Sequence, residues 1–555
     1  MTARRRLFAC AIASGAMLSA CGGGSDAPAP AQAPPAPVPI PAPPPVALPA
    51  LVTDAPVRVS TATPFDATCT GAAPGDIVYL NAEVEPFVSV NPRDPNNWVA
   101  TWQQDRWSGG SANGLITATT VDGGATWTRT AIPFSRCAGG NAGNGGDYQR
   151  ATDPWVTFAP DGAVFQMALA SSGGSFTAGS ANAMLVSRST DGGRTWGPVS
   201  TLIRDESQFF NDKNSITADP TDPRYVYAVW DRLGATGGGP AMLARSTDGG
   251  ATWEGARAIH DPGQRSQTIG NVVAVLPNGA VVNVFTQIDY AINAPARATL
   301  NALVSVDKGG SWSGPFRIAD ALAVGARDPD TGASIRDGAN LPQVAVAPNG
   351  HLWVAWQDAR FSGGEHDGIA LARSSDGGQT WSAPAQVNSA PSAQAFTPSV
   401  HVTANGTIGV TYYDLRSNTA DASTLPTELI LARSLDGTRW TEHRVSPPFD
   451  LATAPVARGY FLGDYQGLAS ADNVFVPVYV RTNSGDTTNR TDVFAVATRS
   501  LAAPTSSAIA AHATRAAPVA FEPDAELRQR VHESILRTME RRVPGWSART
   551  SAPPR

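Results

Sequence analysis

The feature that most constrains this chain is a short phrase that recurs six times. It reads Ser-Thr-Asp-Gly-Gly-Arg-Thr-Trp at Ser189–Trp196. Further copies are Thr120–Trp127, Ser246–Trp253, Ser305–Trp312 and Ser374–Trp381, with a shortened sixth at Ser434–Trp440. The aspartates Asp122, Asp191, Asp248, Asp307, Asp376 and Asp436 lie 69, 57, 59, 69 and 60 residues apart. A period of about sixty, with strand-like sequence between copies, marks a repeat architecture in which each unit buries its apolar face only by stacking on its neighbours.

Locally the phrase is a hairpin turn. Asp accepts backbone N–H bonds within a tight turn, the glycines supply positive φ, and Ser or Thr adds hydroxyl bonds. The Trp folds back over the turn. The phrase resembles the Asp box of the sialidase (BNR-repeat) superfamily, and six copies in register make that resemblance specific. In that superfamily the box is structural: it marks a blade and is not itself a catalyst.

Between boxes the same four-part pattern recurs. In the fifth unit it is Gln343–Ala347, Leu352–Gln357, Gly368–Arg373, the box, then Ala383–Val387. Alternating and β-branched residues predict strands throughout, and four-stranded units in series predict an all-β β-propeller. The 53 glycines, 14 tryptophans and 16% charged residues suit that class. Six boxes give six blades. Tyr465–Ser470, Val474–Arg481 and Asp492–Arg499 read as three strands of a box-less seventh, whose fourth strand would be Val57–Thr61 from the N-terminal side. Seven blades are the preferred reading because that pairing leaves no open edge. Six is the alternative, and it matches the sialidase family better.

The flanks read differently. Residues 1–21 form a lipoprotein signal peptide: Arg4–Arg6 is basic, Leu7–Met17 is apolar and small, and Leu18-Ser19-Ala20-Cys21 resembles a bacterial lipobox. Cys21 is then the lipidated residue, and Gly22 after it favours the bacterial outer membrane. Residues 22–56 are a Pro/Ala-rich linker, 57–501 the propeller, and 502–555 an Ala/Pro-rich tail containing a helix over 524–542. Leu527, Val531, Ile535 and Met539 give that helix an apolar stripe at i, i+4 spacing. The remaining cysteines, Cys69 and Cys137, are expected to form one disulfide. A formal charge of −6 spread thinly disfavours nucleic acid as a partner. The expected partner is a glycan, and the membrane is reached through the lipid only. No metal-ligand spacing or cofactor motif is present, and a monomer is expected.

Topology locates the chemistry. The box joins the third and fourth strands, so segments leading into strand one and leaving strand two converge on the opposite face. The leading segments hold Glu83 and Glu85, Tyr148, Arg150 and Asp153, Asp212 and Lys213, Arg336 and Asp337, and Asp464 and Tyr465. The exit segments repeat an acid–arginine phrase: Asp105-Arg106, Asp231-Arg232, Asp358 and Arg360, Asp414 and Arg416. Guanidinium groups grip a sugar carboxylate bidentately, and glycoside cleavage needs a proton donor and a nucleophile. The competing reading is that a phrase repeated in four blades is a structural ion pair.

The sialidase resemblance implies an exo-glycosidase acting on anionic glycans, of exo-α-sialidase type. On that reading Arg106, Arg232, Arg336, Arg360 and Arg416, with Asp464, bind substrate. Asp105, Asp212 or Asp337 is the acid, and Tyr465 with Glu85 is the nucleophile pair. The family's Phe/Tyr-Arg-Ile-Pro phrase is missing near the domain start, and Phe316-Arg317-Ile318-Ala319 falls after the fourth box instead. The alternative is a propeller that binds glycan or protein without catalysis.

Overall fold

The computed structural model describes residues 48–69, 71–72, 75–290, 294–500, 521–543 and 545–546. Cys21, with the other residues read as a signal peptide, lies outside them. Cys69 and Cys137 form the expected disulfide, with Cα atoms 5.5 Å apart.

The described chain is a series of mainly antiparallel sheets, a short parallel pair of Ile335–Arg336 with Tyr460–Phe461, and one α-helix. The first four-stranded unit is Val78–Val90, Trp98–Trp107, Ala112–Thr120 and Thr128–Ala131. The second runs from Arg150–Phe158 to Ser200–Glu206, the third from Phe209–Ala218 to Arg257–His260, and the fourth from Ser266–Val275 to Ser313–Asp320. The fifth is Gln343–Val346, Leu352–Asp358, Gly368–Ser374 and Ala385–Gln386, close to the sequence reading. The sixth begins at Ala395–Val402 and ends at Thr441–Arg444. First strands of successive units lie side by side.

After the sixth unit come Gly467–Ala471, Val474–Thr482 and Thr491–Ala495. Val57–Arg58 pairs antiparallel with the last of these, placing Val57 opposite Ala495 and Arg58 opposite Phe494. Leu51–Thr53 also pairs, with Thr498–Ser500. Regular pairing therefore begins inside the stretch read as linker, because Leu-Val-Thr is a strand-forming tripeptide that meets an unpaired edge.

Each box folds as its letters require. Asp122 accepts from Thr120 Oγ1 at 2.7 Å and from Thr126 N at 2.9 Å, while Gly123 and Gly124 take φ of 71° and 92°. The Trp127 and Trp381 indoles donate to the carbonyls of Gly124 and Gly378. These local bonds hold Asp122, Asp191, Asp248 and Asp376 down at about 2. The boxes also join units. A Cβ on Gly193 would sit 2.6 Å from Val99, one on Gly250 2.2 Å from Phe165, and one on Gly437 2.3 Å from Trp353, each in the preceding unit. Only a residue without a side chain lets the turn seat there.

The helix α1 spans Ala525–Arg542, and the Asp524 carboxylate caps it by accepting from Leu527 N at 2.8 Å. Leu527, Val531, Ile535 and Met539 are at most 4% exposed and pack with Leu300, Leu322 and Trp356. Burial of such side chains stabilises by about 1.5–3 kcal/mol each. The stripe read from the sequence is therefore the docking face of α1.

Candidate active site

Five first strands carry a β-bulge near their start, where the register slips between Val84 and Phe87, Thr152 and Trp155, Asp212 and Ser215, Ile269 and Val272, and Phe396 and Ser399. Within these bulges Glu85, Asp153, Lys213, Gly270 and Thr397 take φ of 54°, 51°, 49°, 67° and 50°. Four of the five are not glycine, so the backbone holds left-handed conformations that cost about 1–2 kcal/mol each. Bulges re-aim side chains, and such strain persists where the surroundings over-determine it. Here they bring three charged side chains together. Lys213 Nζ lies 3.9 Å from Glu85 Oε1 and 3.5 Å from Asp153 Oδ1.

Asp464 completes this cluster. Its carboxylate accepts from Lys213 Nζ at 2.6 Å and from Arg336 at 2.7 and 3.1 Å. Arg336 and Arg106 both lie over the buried Phe461 ring, at 4.2 and 4.6 Å from its centroid. Arg106 is 1% exposed and donates to Gln103 Oε1 at 2.6 Å. Its Nε and Nη2 meet no acceptor among the described residues. Gln103 in turn donates to Glu85.

This crowding separates the carboxyl groups electrostatically. Burial pushes Glu85 up to about 8, Lys213 pulling against Asp153 and Asp464. Burial raises Asp153 as well. Asp464 is held well below the usual carboxylate range, because Arg336 and Lys213 overcome its burial. Burial, and then Arg336, lower Arg106 to about 9. At neutral pH the cluster thus holds a protonated carboxyl, Glu85, beside an ionised one, Asp464. Divergent carboxyl environments of this kind divide acid from base roles.

The remaining expected residues fall elsewhere. The Tyr465 hydroxyl donates to the Pro154 carbonyl at 3.0 Å instead of meeting Glu85, and its ring packs edge-on to Trp155. Asp105 turns away from Arg106 and accepts from Thr63 Oγ1, Asn81 N and Asn113 Nδ2, which makes it a turn anchor. Arg232 pairs with Asp205 at 2.6 Å rather than with Asp231. Arg360 clamps Asp358 at 2.8 Å, and Arg416 clamps Asp414 at 2.8 Å and Glu442 at 2.7 Å. These last two follow the ion-pair reading of the repeated phrase. Asp337 accepts from Ala326 N at 2.6 Å and shares the Gln357 amide with Asp367, which burial and Asp337 raise to about 7.

Asp212 meets a partner from far along the chain. Arg542, the last residue of α1, donates to it at 2.6 Å and to Asp231 as well. Arg541 lies 3.8 Å from Asp337. A cavity of about 400 Å³ opens beside α1, with Arg327, His366, Arg530 and Arg537 in its lining. Among the described residues no group of three or more His, Cys, Asp or Glu is placed to hold a metal ion.

A curated sialidase of Micromonospora viridifaciens is 31% identical over 196 residues, covering 31% of this chain and 29% of that protein. Box geometry and this relative agree. Over that segment the chain is similar to a sialidase. No family model matches it. Among solved structures, a Dyadobacter fermentans protein of unknown function overlays with TM-score 0.42 and 14% identity, covering 77% of this chain and 98% of the other. A Hadza microbial sialidase gives 0.42 and 16% over 72% and 74%, and a Fusarium graminearum α-L-arabinofuranosidase gives 0.42 and 14% over 65% and 92%. Similarity at that level identifies neither a substrate nor a reaction. Sequence reasoning did not single out Asp153 and Lys213 as a pair, nor Arg542 at all. The first two had a signal: Glu85, Asp153, Lys213 and Gly270 recur 68, 60 and 57 residues apart, close to the spacing of the boxes.

Proposed function

We propose that the chain is an exo-glycosidase acting on anionic glycans, of exo-α-sialidase type, with its site at the bulge cluster. One observation carries this reading: Arg106 is buried with two guanidinium nitrogens that meet no acceptor among the described residues, beside Arg336 and within the Glu85–Lys213–Asp464 cluster. A buried, unanswered guanidinium edge is costly unless an anion meets it. Arg106 and Arg336 grip a sugar carboxylate, Glu85 donates the proton to the leaving oxygen, a water molecule adds to the anomeric carbon as that bond breaks and the proton it releases restores Glu85, and Lys213 with Asp464 holds the charge balance. Tyr465 supports this wall through Trp155. The sialidase relative lends the reading a glycoside-cleaving context.

The same proposal places the site on a seven-bladed ring. The pairing of Val57–Arg58 with Thr491–Ala495 and the packing of Gly467–Ala471 beside Val78–Val90 support that count. It also places the protein in the cell envelope, held to the bacterial outer membrane by a lipid on Cys21. Membrane pelleting lost in Cys21→Ser is the expected sign.

The test is sugar release from a panel of sialosides and other anionic glycosides. Glu85→Gln is expected to lose about 10²–10⁴-fold in kcat, and Arg106→Met to raise KM. A second reading, a propeller that binds without catalysis, is favoured by the self-paired Arg360 and Arg416. Glycan binding with no release by either the whole chain or the chain freed of α1 decides for it.

A further inference from the structure

Asp212 and Asp231 are direct cross-strand partners in the third unit. Both are buried, at 6% and 0% exposure. Like charges directly opposite on a sheet destabilise it, and two buried carboxylates sharing a site cannot both ionise without a cation. The cation here comes from outside the sheet. Arg542 is only 5% exposed in its side chain and spans both carboxylates.

The rest of the α1 terminus is held by the same face. Arg458 Nη1 donates to the Glu540 and Arg541 carbonyls at 2.7 and 2.6 Å, and Ser175 Oγ donates to the Arg542 carbonyl at 3.4 Å. Arg541 faces Asp337. The helix thus delivers two arginines onto three acids at the end of the molecule where the bulges open. Residues 501–520, between the last described strand and the helix, are rich in Ala and Pro.

Burial holds Asp231 up to about 8 even with Arg542 beside it, while Arg542 and Lys213 outweigh burial and hold Asp212 below its ordinary value, so the pair already shares a proton at neutral pH. With it in place, both carboxylates are answered by one guanidinium. Without it, Lys213 is the cation that remains beside them among the described residues, and the two acids keep a proton between them, as paired carboxyls that act as general acids do. We propose that α1 is an intramolecular plug: Arg542 masks the Asp212–Asp231 pair, and the pair becomes an exposed proton donor on the glycan-facing side when the helix leaves. This rests on the glycosidase reading for what the pair acts upon, and not for the masking itself.

The experiment introduces a site-specific protease site within residues 501–520 of the full chain. The purified protein is cut, and the helix fragment is separated under native conditions. Two measurements follow: carbodiimide labelling of Asp212 and Asp231 by mass spectrometry, and turnover of umbelliferyl glycosides of sialic and uronic acids. Release of the helix is expected to raise labelling of both acids about tenfold or more. A synthetic peptide of residues 521–546 is expected to reverse this, and the same peptide with Arg542→Ala to fail. Full-length Ile535→Asp, which disrupts the docking stripe without touching the acids, gives the same rise. Unchanged labelling, a fragment that stays bound after cutting, or a body that unfolds on release overturns the plug. Labelling that rises while no glycoside is cleaved leaves the plug standing and overturns the glycosidase reading.

Discussion

Arg542 and Asp212 stand 330 residues apart in sequence and 2.6 Å apart in space. That bond ties the C-terminal helix to a sheet position where two aspartates face each other. Few contacts in the molecule join so distant a pair with so little exposure.

The first prediction concerns that contact. Arg542→Ala leaves Asp212 and Asp231 buried without their main cation, and breaking a buried pair in this way costs about 3–5 kcal/mol. The melting temperature should fall at pH 8 and partly recover toward pH 5, where the two acids take up a proton. Differential scanning fluorimetry across pH checks it. A variant that melts like the parent at every pH shows that the contact carries no energy.

Glu85 has a pH signature of its own. Its folded value, about 8, lies above that of an unfolded glutamate. The folded state therefore holds its proton more tightly. The stabilisation is fully present below about pH 4.3 and is lost as pH rises through about 8. Glu85→Gln, which mimics the protonated form, should flatten this dependence by up to about 1.4 kcal/mol per pH unit. Urea titrations at four or five pH values measure the slope, and equal slopes in the two proteins contradict the assignment.

The boxes should be separable from function. Asp248 accepts from Ser246 Oγ, Thr252 N and Thr252 Oγ1 on the face opposite the bulges. Asp248→Ala should lower stability by about 1–2 kcal/mol while leaving glycan affinity unchanged. Calorimetry and a binding titration read both; altered affinity with unaltered stability reverses the argument.

The N-terminal strands should act as an edge cover. Ser60 Oγ donates to Asp492 at 2.8 Å, and Arg58 lies 3.1 Å from the same carboxylate. Deleting residues up to Ala62 uncovers Thr491–Ala495, and an uncovered strand recruits other chains. Light scattering should detect self-association, and a truncated chain that stays monomeric and equally stable rules the cover out.

Legibility tracks distance along the chain. The boxes were plain because Asp191 bonds Ser189 two residues before it and Thr195 four after it, so the local letters specify the turn. The stripe on α1 was plain because helical periodicity exposes it. Which face would collect Glu85, Arg336 and Asp464 followed from the order of strands and turns. Their roles did not. Asp105 and Arg106 are neighbours, yet a φ of 62° at Asp105 sends the two side chains to different partners. Tyr465 looked like a nucleophile beside Glu85, yet its hydroxyl found a backbone carbonyl closer to hand.

By itself, then, the sequence determined the repeat, the strands, the turns and the chemically richer face, since all of these rest on bonds between residues a few positions apart. Only the tertiary structure decided which charges meet. Lys213 reaches Asp464 across 251 residues, Arg336 reaches it across 128, and Arg542 reaches Asp231 across 311. A charge–charge contact depends on the distance between atoms and on the exclusion of water. Neither exists until the sheets have packed against one another and α1 has docked on their rim.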